Sequence, residues 1–328
     1  MKRRDLAFGL AVGAVLAPVC GIAQQKSARI GVLSSSSSSQ SSDTSLFRDH
    51  FLPTLANAGW VEGRNLVIDW RFADGKLERH GPLAQELVAL KPDLILAATQ
   101  PSAVAVMKAT KTIPIVFALV QEPVSVGLAE SLARPGKNAT GLASMNMEIL
   151  SKRIEFLLEV VPSAKRVALL YQPELDLNAR QTALAQQVLQ SLRLAAVKVP
   201  IGGPETFGAA FERLAHERPD AVLVIENPSV FTNRVDVVKR MAAIRLPAMY
   251  GFQPFALDGG LMSYSIDFND QFRRAAGYVD QILRGRKPAD LPIQQPQAFE
   301  FTVNLKAANE LGITIPQSVL LRANQVIE

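Results

Sequence analysis

The sequence predicts an α/β fold of two similar lobes, each built on parallel strands, and three observations predict it. Short runs of Val, Ile and Leu alternate with longer amphipathic segments, the pattern of parallel strands covered on both faces. Three of these runs recur in the same order. Arg29-Ile30-Gly31-Val32-Leu33 is echoed by Arg166-Val167-Ala168-Leu169-Leu170, Pro92-Asp93-Leu94-Ile95-Leu96 by Pro219-Asp220-Ala221-Val222-Leu223, and Ile113-Pro114-Ile115-Val116-Phe117 by Leu246-Pro247-Ala248-Met249-Tyr250. Finally, a proline follows two polar or small residues after many of the runs, at Pro101, Pro123, Pro173, Pro204, Pro228 and Pro254. Proline at the first position of a helix gives up no hydrogen bond, so these prolines are expected to open helices at the carboxyl ends of strands.

Residues 1–23 have the form of a secretory leader: Lys2, Arg3 and Arg4, then an apolar stretch from Leu6 to Val19, then Gly21-Ile22-Ala23. The stretch is shorter than the ~20 residues that cross a bilayer, so cleavage after Ala23 and a periplasmic location are expected. Arg3-Arg4 leaves a twin-arginine route open beside the general one. The alternative of a lipid anchor on Cys20 is disfavoured by Val19 and Ala17, which replace the Gly or Ala and the Leu of a lipobox. Without its leader the chain has no cysteine, which suits an oxidising compartment.

First-lobe strands are expected at 29–33, 65–72, 93–98, 113–117 and 140–144, and second-lobe strands at 166–171, 195–199, 221–225, 247–250 and 260–264. A helix at 268–284, with Phe272, Ala276, Val279 and Leu283 at helical spacing, is expected to return to the first lobe. The lobes then comprise residues 27–143 with 267–294, and residues 146–264. Residues 295–328 form a crossover and tail of unassigned lobe. Crossings near 144–146, 265–267 and 294–299 would make a multi-strand hinge.

Composition removes several classes of function. The net charge is +5, of which +3 falls after residue 23, and Lys152, Arg153, Glu155 and Glu159 typify how bases alternate with acids on solvated helix faces. No basic block tracks a nucleic acid. One cysteine and the scattered His50, His80 and His216 make no metal-ligand spacing, and neither GxSxG nor GxGxxG occurs, so no metal, cofactor or nucleophilic enzyme is expected. A hydrolase working with Asp and Glu alone stays open as the alternative to binding.

Ligands of open parallel sheets bind at the carboxyl ends of the strands, so the polar residues there are the candidate site. Ser34 and Ser35 begin a tract reaching Ser39; Thr99, Gln100 and Ser102, then Gln121 and Glu122, follow on the first lobe; Glu226 and Asn227 belong to the second. Glu226 is the candidate partner for a ligand ammonium, since a carboxylate at a strand end needs a partner or water. Aromatic residues near strand ends, Phe117, Tyr171, Tyr250, Phe252 and Tyr264, would form a wall for a flat or apolar ligand, with Tyr171 and Tyr250 the two expected to touch it.

The run from Ile113 to Phe117, with Glu122-Pro123-Val124, Gly127-Leu128, Ser131-Leu132-Ala133-Arg134-Pro135-Gly136 and Asn138-Ala139-Thr140-Gly141, resembles the ABC_sub_bind family of periplasmic substrate-binding proteins of ABC transporters. Gly259 to Tyr264, Arg273-Arg274-Ala275-Ala276, Lys287 to Pro292, and Asn304-Leu305-Lys306 with Leu311-Gly312 and Ile315-Pro316 extend the resemblance over the chain. It implies a type I periplasmic-binding-protein fold with two Rossmann-like lobes. It also implies a monomer that captures a small molecule, with an amino acid first to be tested, and delivers it to an inner-membrane permease. A sensor-kinase accessory that presents ligand is the other role such lobes could serve. Glu122, where the family usually has Asp, and the Ser34 to Ser39 tract are departures from the family pattern.

Overall fold

The computed structural model describes residues 27–37, 46–145 and 147–328, and in them the chain forms two sheets. The leader, Ser38, Ser39 and Asn146 lie outside the described residues.

The first sheet contains β1 (Ala28–Ser34), β2 (Leu66–Phe72), β3 (Leu94–Ala97), β4 (Ile115–Val120) and β5 (Ala139–Ala143), in the order β2-β1-β3-β4-β5 and all parallel. β3, β4 and β5 are short and almost wholly apolar because both of their faces are buried. One face carries α1 (Leu52–Asn57), and the other carries α2 (His80–Ala89) and α3 (Gln100–Ala109).

The second sheet contains β6 (Arg166–Tyr171), β7 (Ala195–Pro200), β8 (Ala221–Val224), β9 (Ala248–Tyr250), β10 (Met262–Ile266), β11 (Phe299–Asn304) and β12 (Gln325–Ile327), in the order β12-β11-β10-β9-β8-β6-β7. Its helices are α4 (Leu150–Val160), α5 (Asp176–Ser191), α6 (Phe207–Glu217), α7 (Pro228–Thr232), α8 (Arg234–Ala243) and α9 (Gln253–Leu257). Next comes α10 (Phe268–Leu283), and α11 (Leu305–Leu311) and α12 (Gln317–Leu320) complete the set.

The sequence reading expected no strand after residue 264, yet β11 and β12 widen the second sheet. β11 is antiparallel to β10 because the chain comes back from the first lobe with no crossover helix on the second lobe to reverse its direction. The helices α11 and α12 supply such a crossover, and β12 accordingly lies parallel to β11.

The amphipathic face of α10 buries Phe272, Ala276, Val279 and Leu283 with Ile30, Leu94 and Val116 of the first sheet. Its start is capped by Asp267, whose Oδ1 accepts from the amide of Asp270 at 3.0 Å. The chain passes between the sheets from β5 to α4, from β10 to α10, and again after Gln294, whose carbonyl accepts from Ala143 N beside β5 at 2.8 Å.

Pro101, Pro228 and Pro254 stand in the first turns of α3, α7 and α9, and Pro204 opens a 3-10 turn. The expectation fails at Pro123 and Pro173. After Pro123 the chain closes a turn through Gly127, whose φ of +77° ends any helical continuation. After Pro173 it makes a turn, and α5 begins only at Asp176.

Candidate ligand-binding cleft

The loops at the carboxyl ends of the two sets of strands enclose one cleft of about 660 Å³. Ser34 at the end of β1 with Ser35 and Ser36 after it, Thr99 and Gln100 after β3, and Gln121 after β4 line it from the first lobe. Glu226 and Asn227 after β8, Phe252 after β9 and the start of α5 line it from the second. Phe47, Phe231, Phe268 and Phe272 make most of the remaining wall apolar and aromatic. The volume is that of a small-molecule site, and the lining is the usual mixture of apolar surface with a few placed polar groups.

On the first lobe the hydroxyls are wired together. Ser35 Oγ lies 2.9 Å from His80 Nε2 and 2.5 Å from Thr99 Oγ1, which lies 3.0 Å from Ser102 Oγ. His80 is buried at the start of α2, and its Nδ1 lies 3.0 Å from the carbonyl of Leu77. Burial holds this imidazole below its ordinary pKa, against smaller opposing contributions from the Leu77 and Lys76 backbone. Ser102 is fully buried beneath the lining and reaches the cleft only through Thr99.

Gln100 and Gln121 divide the work. Gln100 Oε1 accepts from the amide of Gln121 at 3.0 Å and so fastens the loop after β4. The side-chain Oε1 of Gln121 is buried with no hydrogen-bond partner among the described residues. Asn227 is the N-cap of α7: its Oδ1 accepts from Val230 N at 2.9 Å, which fixes the amide orientation and leaves Nδ2 buried without a partner among the described residues.

Glu226 lines the cleft but is already engaged. Arg153 Nη1 lies 3.5 Å from Glu226 Oε2, both side chains are almost completely buried, and Gly251 N donates to Glu226 Oε1. Burial raises the Glu226 carboxyl to about 7, and Arg153 acts against that rise. Arg153 also donates from Nε to the carbonyl of Tyr264 at 2.8 Å and from Nη2 to that of Gly251 at 3.0 Å. Read in the sequence as part of a solvated charge pattern, Arg153 is in fact 1% exposed and braces the floor of the cleft. A Cβ on Gly251 would meet the Glu226 carboxylate, so a larger residue there would displace that side chain from its present place.

Three expected contacts lie elsewhere. Glu122 sits beside the cleft, paired with Arg180 of α5. Tyr171 is the half-buried last residue of β6, paired in register with Pro200. Tyr250 is buried on a sheet face, stacked on Phe255 with ring centroids 4.9 Å apart, and borders a separate cavity of about 280 Å³. For the two tyrosines the reason is common: side chains within a paired strand point to the sheet faces, whereas residues beyond it are free to turn along the strand axis. Phe117 and Tyr264 are held in the cores in the same way, whereas Phe252, beyond β9, does line the cleft. Sequence reading missed Phe47, Phe231, Phe268 and Asn178. Phe231 could have been found from its place in the first turn after Asn227-Pro228.

Two lobes that enclose one ligand-sized cleft at their strand ends define a binding protein of the type I periplasmic fold. The chain belongs to the family described as ABC transporter substrate binding protein, whose model matches residues 40–327. A tyrosine-binding protein of Clostridioides difficile is 25% identical over 256 residues, 77% of this chain and 73% of that protein. The crystal structure of the ABC domain in complex with L-Trp from Streptococcus pneumonia has a TM-score of 0.83 at 26% identity, covering 92% of this chain and all of that one. A conserved domain protein from Vibrio cholerae has a TM-score of 0.83 at 27% identity with the same coverage. No helix among the described residues is long and apolar enough to cross a membrane.

Proposed function

We propose that the protein captures an amino acid with a flat or apolar side chain between its lobes and delivers it to the permease of an ABC transporter. The observation that carries this reading is the pair of unpartnered amide atoms, an acceptor at Gln121 Oε1 and a donor at Asn227 Nδ2, in one aromatic-walled cleft. A buried polar atom without a partner costs ~1–3 kcal/mol, which a ligand recovers by supplying the missing group. An α-amino acid offers both complements, an ammonium for Gln121 and a carboxylate for Asn227. Its side chain would pack among Phe47, Phe231 and Phe252. The tyrosine and tryptophan ligands named for the two relatives support the same chemistry.

Binding without turnover is favoured by the state of the carboxylates. Glu226 is held by Arg153 and Gly251, while Glu174 and Asp176, the other acids of the lining, are exposed at its edge. Export with cleavage after Ala23, residence in the periplasm and action as a monomer belong to the same reading. Thermal-shift measurements against panels of amino acids, sugars and small carboxylates test it. Stabilisation by aromatic amino acids is expected, and stabilisation by sugars alone would overturn it.

A further inference from the structure

His80 lies behind the cleft wall and is not one of its lining residues, yet the hydrogen-bond chain that ends on it fixes what the wall presents. The carbonyl of Leu77 can only accept, so Nδ1, at 3.0 Å, carries the ring proton. In the neutral ring Nε2 is then an acceptor, and Ser35 must donate to it across 2.9 Å. With its proton committed, Ser35 can only accept from Thr99 at 2.5 Å, and Thr99 can only accept from Ser102 at 3.0 Å. Every hydroxyl proton in the chain is consumed inside the protein. Ser35 and Thr99, the two members that line the cleft, are each left with one free lone pair.

We infer that His80 is a positioning residue for ligand recognition: by taking the Ser35 proton it turns the Ser35–Thr99 wall into an acceptor-only surface that seats the ligand's α-ammonium. This rests on the amino acid reading above. Gln121 Oε1, an unpartnered acceptor on the same lobe, extends that surface.

Protonation of His80 would make both ring nitrogens donors. Ser35 would then accept from Nε2, and its own proton would be released toward Thr99 or the cleft, where it opposes an ammonium. The charged groups that bear on the ring are Glu78 and Arg79 of its own segment, the latter paired with Asp74. Of the elements packed on α2, β1 and the residue after it bring the hydroxyls of Ser34 and Ser35, β2 the Arg71 that pairs with Glu86 of α2, and α3 brings Ser102 and, toward its far end, Lys108. Glu226 faces the same cleft from the other lobe, and its carboxyl, raised by burial to about 7, is present alike in the wild type and in His80→Gln.

The test uses L-tyrosine and its desamino analogue 3-(4-hydroxyphenyl)propanoate, titrated calorimetrically into the wild type and into His80→Gln and His80→Leu. The wild type is expected to prefer L-tyrosine by roughly 30-fold or more, and His80→Leu to lose most of that preference, since a site built for a polar group rejects the analogue that lacks it. His80→Gln, whose Oε1 can accept from Ser35 but does not titrate, should restore the preference. Lowering the pH through and below the ordinary imidazole range should weaken L-tyrosine binding to the wild type more than binding to His80→Gln, burial placing the difference toward the acid end. The ratio between two ligands is insensitive to a general loss of folded protein. An unchanged ratio in His80→Leu, or a ratio that His80→Gln fails to restore, would overturn the inference while leaving amino acid binding intact. A wild type that binds none of the standard amino acids would overturn both.

Discussion

Glu122 and Arg180 join the two lobes: the guanidinium on α5 of the second donates to the carboxylate that follows β4 of the first, and Asp176 holds the same guanidinium at 3.0 Å. Both side chains are about a third exposed, so the pair is worth at most ~1 kcal/mol and is weakened by salt. Because it spans the lobes, that energy acts on closure and not on the stability of either lobe. Glu122→Gln should therefore weaken ligand binding by up to about fivefold at low ionic strength and leave the melting temperature of the unliganded protein unchanged. Calorimetric titration at 20 mM and 500 mM salt, concentrations of roughly long and short Debye length, should show the variant and wild type converging at the higher one.

A second contact between the lobes is made by backbone. A Cβ on Gly75 would lie 3.0 Å from Ser229 Cα and 3.3 Å from the carbonyl of Pro228, on the opposite lobe, and Gly75 has a φ of +73°. Gly75→Asn tolerates that φ better than alanine would, yet still carries the Cβ. It should favour separation of the lobes and weaken ligand binding roughly tenfold. Small-angle scattering of the liganded variant should give a larger radius of gyration than that of the liganded wild type, and equal radii would count against the contact as a limit on closure.

The Arg153–Glu226 pair should behave as a buried ion pair does. Arg153→Met strands a buried carboxylate and removes the donors to Tyr264 and Gly251, so a loss of about 3–5 kcal/mol is expected in urea denaturation. Combining Arg153→Met with Glu226→Gln should recover part of it, since neither charge is then left alone. A double variant no more stable than the single one would show that the loss comes from the carbonyl contacts.

Glu300, on β11 opposite Ser265 of β10, gives a pH dependence of defined sign. Burial and then Asp267 raise its carboxyl to about 7, with Arg273 opposing. A carboxyl whose folded pKa is raised contributes stability that is complete below its unfolded pKa, near 4.5, and is lost as the pH rises through about 7. Glu300→Gln should therefore match the wild type at acid pH and melt higher than it at pH ~8. Melting curves at both pH values test this, and a variant that melts lower at the alkaline pH would contradict it.

Much of the fold was legible because the strands that carry it are buried on both faces: Arg166–Tyr171 and Ala221–Val224 announce themselves as apolar runs. β12 was not legible, because Gln325–Ile327 is a mostly exposed edge strand with no alternation to read. β11 was hidden behind Pro296, which reads as the start of an extended crossing. Ser35, Thr99, Gln121 and Asn227 could be named from position alone, since each lies just beyond a strand. What position could not supply was partnership. Glu226 looked free for a ligand because nothing in the sequence places Arg153, on a helix before the first strand of that lobe, at its carboxylate. His80, similarly, is tied to Ser35 only by tertiary structure.

The most direct measurement is calorimetric titration of L-tyrosine and L-tryptophan into the wild type and Asn227→Asp, with ribose as a sugar control. Replacing the unpartnered Nδ2 by a carboxylate oxygen preserves the N-cap to Val230 but opposes a ligand carboxylate. The account predicts one site for an aromatic amino acid in the wild type, at least about a hundredfold weaker in the variant, and no heat from ribose. Ribose binding without amino acid binding, or equal affinity of Asn227→Asp and wild type for the amino acid, would contradict it.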